Sequence, residues 1–173
     1  MWDFFETVRH RHSVRRFQAD RPVEPEKLHA ILETACSAPS AGDLQSYRII
    51  VAADEAHRTT LSRLAGEQPF IAEAPICLVF CTDAERAANK YGARGRDLYA
   101  LQDATIAATY AQLAVVAAGL GSTWIGAFDG NEVAQTLGLE RGLMPVAMLS
   151  VGYPAELPEL TPRRLLDEVV TYL

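Results

Sequence analysis

What this sequence lacks narrows its chemistry before anything present is considered. No G-x-G-x-x-G follows a strand-like run, so a Rossmann nucleotide site has no support. No P-loop, H-E-x-x-H, C-x-x-C or G-x-S-x-G occurs either. The usual nucleophile and metal mechanisms have nothing to work with, which leaves a bound organic cofactor that brings its own reactivity. Cysteine is scarce. Cys36, Cys77 and Cys81 are odd in number and follow no secretory start, so reduced thiols in a cytoplasmic setting are expected rather than a disulfide framework. Positive charge is in deficit: 16 Lys and Arg against 22 Asp and Glu leave a net charge of −6. A chain of that sign does not track a nucleic acid backbone. Long apolar runs are also missing. The longest, Leu98 to Leu120, is interrupted by Gln102, Asp103, Thr105, Thr109 and Gln112, so no membrane span and a soluble protein are expected.

What is present is enough for one core. The chain has 173 residues, 49% of them hydrophobic, and no linker or repeat divides it, so residues 1–173 read as one domain. Helical spacing is expected over Trp2 to Val8, Pro25 to Cys36, Glu55 to Leu64, Leu98 to Ala118 and around Glu132 to Leu137. Ile49 to Ala53, Pro75 to Cys81, Thr123 to Phe128 and Val146 to Val151 read as strands, giving an α+β order. Cys77 and Cys81 then lie on one strand face and belong to the core. Tyr91 to Arg96 reads as a loop, either a solvated one or a reduced lid.

Two features point toward a second copy. The Leu98–Ala118 helix is apolar on most faces, and its alanines (Ala104, Ala107, Ala108, Ala111, Ala114) allow close helix–helix approach. The stretched, proline-bearing segment Leu157 to Arg164 precedes a strand-like end, Val169 to Leu173. That strand either pairs with a neighbouring subunit or folds back on its own sheet.

Chemistry concentrates in three places. Arg9, Arg11, Arg15 and Arg16 crowd eight positions, and an extended segment would put Arg11, Ser13 and Arg15 on one face, which suits a phosphate dianion. A solvated basic patch is the plainer alternative. His10 and His12 have no carboxylate or cysteine at ligand spacing, so no metal is expected. Ala38 to Gln45 combines small residues with Ser40, Asp43 and Gln45, either a ring-lining loop or a simple helix end. Gly121 to Phe128 is a strand ending in small residues, whose bared amides could stabilise an anion or merely lie in the core.

These segments together resemble the nitroreductase family. Arg11-His12-Ser13-Val14-Arg15-Arg16-Phe17 resembles its "R-(R/H)-S-(V/I)-(R/K)-x-F" opening, and Pro39 to Tyr47 its "P-S-S-x-N-x-Q-P-W" loop. Trp124 to Phe128 stands where the family contacts flavin through its backbone, and Arg163 to Val170 resembles "R-K-P-L-E-E-V-V". The matches run in order over almost the whole chain.

The resemblance implies an α+β fold with a central, mostly antiparallel sheet flanked by helices. It also implies a homodimer whose residues 157–173 form an arm and an exchanged C-terminal strand. It implies FMN, with the phosphate held by Arg11, Ser13, Arg15 and Arg163 or Arg164, and His12 alongside. Pro39, Ser40, Ala41, Asp43 and Gln45 would line the flavin from the partner chain, and Ile125, Gly126 and Ala127 would meet the N5/O4 edge. Gln68 is assigned to the pyrimidine edge. The implied activity is hydride transfer from NADH or NADPH through FMN to nitroaromatics, quinones or similar acceptors, with no side-chain acid or base. Asp43 departs from the family's Asn, and Ser46 and Tyr47 from its Pro and Trp. Other flavin chemistry on the same fold (dehalogenation, azoline dehydrogenation, oxygen-dependent flavin fragmentation) and a non-enzymatic flavin binder stay open beside it.

Overall fold

A computed structural model describes residues 3–159 and 161–173. Helix α1 (Phe4–His10) starts where the Asp3 carboxylate accepts the Glu6 N–H at 2.8 Å. Trp2, expected in this helix, lies outside the described residues. Helix α2 (Pro25–Cys36) has proline in its first turn, where no intrahelical N–H is needed. Strand β1 (Tyr47–Ala52) leads to α3 (Glu55–Leu64), capped by Asp54, and then to the short α4 (Phe70–Glu73). Strand β2 (Ile76–Asp83) runs straight into α5 (Ala84–Arg94), with Asp83 as the cap. A wide helical turn, Gly95–Tyr99, joins α5 to the long α6 (Ala100–Ala117). Strand β3 (Gly121–Ile125), helix α7 (Gly130–Thr136) and strand β4 (Leu143–Gly152) complete the set.

The four strands form one antiparallel sheet in the order β1-β2-β4-β3. Its two faces bury two clusters. Leu78, Phe80, Ala147 and Leu149 pack against α2 and the alanines of α6. Cys77, Val79, Cys81 and Met148 face α3, α4 and α7. Strand β2 is therefore covered on both sides, which is why it reads as an unbroken apolar run. Burial pushes the Cys77 and Cys81 thiols up to about 12. Helix α6 stops at a left-handed Gly119 (φ +75°), where the Leu120 amide donates back to the Val115 carbonyl and the Gly119 amide to Val116.

Two expectations are corrected. Tyr91 to Arg96 is not a loop: it is the end of α5 and the start of the wide turn. Gly95 is buried against the backbone of Ala87, where any side chain would collide with the Ala87 carbonyl carbon. Its glycine marks close packing rather than a break. The chain end, Val169 to Leu173, lies outside the sheet of this chain; a single turn of 3-10 helix at Leu166–Glu168 is followed by exposed residues without regular structure. It pairs with no strand of its own chain among the described residues, so the alternative of folding back onto its own sheet does not hold. Among the described residues no helix is long and apolar enough to cross a membrane.

Candidate functional site

The basic segment becomes extended by docking on the sheet. Ser13 bridges Ser122 of β3 in parallel, and the Val14 amide donates to the Ser122 carbonyl at 3.0 Å. Thr123 Oγ1 donates to the Val14 carbonyl from the other side. Farther on, Gln18 and Arg16 pair with Tyr153 and Ala155 just past β4. Val14 and Phe17 point into the core, and the residues between and before them point out. Arg11, Ser13 and Arg15 consequently line one cavity of about 340 Å³, together with His12, Arg9 from the end of α1, and Pro158, Thr161 and Arg163 from the chain after β4. Alternation is not strict, since His12 lines the same cavity as Arg11 and Ser13, and Arg15 and Arg16 are both exposed. Four arginines, Ser13 and Thr161 around one cavity form a donor set with the charge and reach for a phosphate dianion. One carboxylate, Glu159, also lines it.

Arg163 and Arg164 diverge. Arg163 lines the cavity, whereas Arg164 donates to the Glu168 carbonyl at 2.6 Å and lies 3.6 Å from its carboxylate. Arg15 sits 6.0 Å from the Phe70 ring, so the Gln68–Phe70 segment adjoins the cradle. The Gln68 side chain donates from Nε2 to the Ala65 carbonyl at 2.6 Å, across its own turn. Ile125 is buried in the cluster that holds Val14 and Phe70, and Gly126 and Ala127 follow it exposed. A methyl at Gly126 would meet only Trp124 Nε1, at 3.6 Å, so the backbone there is open to approach.

The second segment, Pro39 to Ser46, stands apart from the cradle. Gly42, Asp43 and Gln45 all have positive φ (+55°, +61° and +46°), a conformation that side chains disfavour. The amides of Ala41 and Ser46 donate to the two oxygens of Asp103, at 2.8 and 3.2 Å. Ser40 Oγ accepts the Gln45 amide at 3.0 Å, and Asp43 Oδ1 accepts from Gln45 Nε2 at 2.9 Å. Tyr47, just beyond, has its phenol pushed up to about 12, mainly by burial, with Cys36 and Asp103 adding. Asp103 lies in the first turn of α6, while the basic segment adjoins Val116 near its other end. Thirteen residues at 1.5 Å each separate them by about 20 Å along the helix. One chain does not bring Arg11, Ser13 and Arg15 together with Ser40, Asp43 and Gln45.

A family model described as "Nitroreductase family" matches residues 8–68 and 58–153, a span that holds the cradle segment, the left-handed loop and β3. The chain belongs to the nitroreductase family. It is 34% identical over 169 residues to the FMN reductase [NAD(P)H] of Bacillus subtilis, covering 88% of this chain and 66% of that protein, just under two thirds. It is 33% identical to the NADH dehydrogenase of Thermus thermophilus, over 94% of this chain and 92% of that one. Among solved structures, the NADPH:FMN oxidoreductase of Vibrio harveyi complexed with NAD+ superposes with a TM-score of 0.89 at 29% identity, over 98% of this chain and 76% of that one.

Arg9 and Asp103 escaped the sequence reading of the site. Arg9 lines the cavity from a helix, so the two-residue period of the extended segment did not include it. Asp103 read only as a polar interruption in an apolar helix, and its partners lie 57 and 62 positions away. Among the described residues no three of His, Cys, Asp and Glu are placed to hold a metal ion.

Proposed function

We propose that this chain is an FMN-dependent oxidoreductase that passes a hydride from NADH or NADPH to a nitroaromatic, quinone or similar small acceptor. The observation that carries this reading is the cradle of Arg9, Arg11, Ser13, Arg15 and Arg163 in a chain of net charge −6. The names of the relatives, FMN reductase, NADH dehydrogenase and NADPH:FMN oxidoreductase, support the same cofactor and reductants. When bound, FMN supplies the hydride-accepting ring; the protein supplies position and electrostatics. Arg11, Ser13, Arg15 and Arg163 hold the phosphate, with His12 alongside. The exposed amides of Gly126 and Ala127 meet the ring edge where negative charge develops, which favours reduction. No side chain is assigned a proton-transfer role.

The working unit is a homodimer with two shared sites. Its support is the separation of about 20 Å between cradle and loop, which a second chain closes by lending Pro39, Ser40, Ala41, Asp43 and Gln45. An unfilled apolar groove of about 670 Å³ between α1, α2 and α6 agrees, as do the exposed Phe4, Phe5 and Tyr110 beside it. Residues 1–173 act as one domain, and residues 157–173, with Leu165, Leu166, Val169 and Tyr172 exposed, form an arm onto the partner. Unpaired Cys36, Cys77 and Cys81 suit a reducing cytoplasm. The test is direct. The purified protein should be yellow, and anaerobic NADH or NADPH should bleach it. A colourless protein that takes up no added FMN overturns the reading.

A further inference from the structure

We infer that Asp103 is a positioning residue for the flavin site, holding the left-handed loop 41–46 in the shape that meets the ring. The inference rests on the functional reading above. The Asp103 side chain is 98% buried at the start of α6, and its two oxygens are spent on two backbone amides, Ala41 at 2.8 Å and Ser46 at 3.2 Å. Those amides bracket three residues of positive φ, two of which carry side chains. Ser46 Oγ is buried without a partner among the described residues, so its amide is the anchor. On the outer side, Arg86 Nε donates to the Leu44 carbonyl at 2.5 Å and Lys90 Nζ to the Gly42 carbonyl at 3.3 Å. The amides of Asp43, Leu44, Gln45 and Tyr47 are also satisfied inside the loop. The backbone is thus tied down behind, and the side chains of Ser40, Asp43 and Gln45 are what the loop offers a ligand.

An isosteric change isolates this role. Asp103→Asn keeps the volume, but its amide nitrogen faces one of the two N–H groups donor to donor. Affinities for FMN and for riboflavin should both fall, by the same factor of about tenfold or more, because the loop meets the ring and not the phosphate. The visible absorption bands of bound flavin should shift, and amide exchange at Ala41 and Ser46 should accelerate against that of the sheet. Arg86→Met, at an exposed position, loosens the same loop from outside and should move both affinities in the same direction by less; it serves if Asp103→Asn does not fold. Unchanged affinities and spectrum in the folded variants, or a loss confined to FMN, overturn the inference. Failure of the unmutated protein to bind either flavin instead overturns the functional reading beneath it.

Discussion

The divergence of Arg163 and Arg164 allows a sharp test of the cradle. Arg163→Ala removes a guanidinium from the cavity wall, and Arg164→Ala removes one that is already engaged by Glu168. A hydrogen bond to a charged group contributes about 1.5–3 kcal/mol. Arg163 is exposed, so solvent screening places it at the low end of that range. At about 1.4 kcal/mol per factor of ten, FMN should bind about tenfold more weakly to Arg163→Ala. Arg11→Ala, less exposed, should lose at least as much. Riboflavin, which lacks the phosphate, should bind these variants and the parent alike, and Arg164→Ala should match the parent with both flavins. Fluorescence titration with both flavins measures all of this, and the FMN deficit should shrink as salt is raised. Equal losses for Arg163→Ala and Arg164→Ala, or equal losses with riboflavin, would refute the assignment of a phosphate to this cavity.

Gly42→Ala introduces a methyl at φ +55°, against the ends of Tyr91 and Lys90, and should destabilise by about 1–2 kcal/mol in a denaturant titration; an unshifted midpoint contradicts the loop conformation. Only Cys36 is exposed, so a thiol reagent should modify one cysteine promptly in the native protein and all three after unfolding. Cys77 and Cys81 keep their protons to about 12 against an ordinary value near 9, and Tyr47 to about 12 against 10. Because these folded values are raised, their contribution is complete below pH 9 and lost between about 9 and 12, so thermal stability should fall across that window; a flat profile there argues against their burial. Asp43→Asn suits the positive φ, keeps an oxygen for Gln45 and removes a negative charge, so the bound-flavin midpoint should rise; redox titration at matched pH reads it, and an unchanged midpoint takes Asp43 away from the ring.

Elements whose ends carry local signals were legible in the sequence. Pro25 opens α2, Asp54 caps α3, and both helices lie where the periodicity put them. Strand β4 begins at Leu143, earlier than the expected Val146. Strand β3 pairs only with residues 148–152, so the start of β4 has a partner on one side and proline is tolerated there. The helical course of Tyr91 to Arg96 was not legible, because Gly92 and Gly95 have no local signal that tells their roles apart. Only the fold shows that Gly92 has room around it and that Gly95 is wedged against Ala87. In the site, Arg11, Ser13 and Arg15 were legible because two-residue alternation is a local property. Asp103 was not, because its role depends on amides that only the packing of α6 brings to it.

The stretch from Arg11 to Phe17 serves two masters. Its inward residues, Val14 and Phe17, seal the outer edge of β3 and the end of β4, while Arg11, Ser13 and Arg15 line the anion cradle. Both tasks are written on neighbouring positions of one backbone, so neither can slide without the other. Removing a single residue here would turn arginine toward the core and valine toward the cavity, spoiling the sheet edge and the binding surface at once. Point changes at Arg11, Ser13 or Arg15 can retune affinity while the fold stands. Changes of length between them cannot, which makes this short stretch tolerant of altered letters and intolerant of altered spacing.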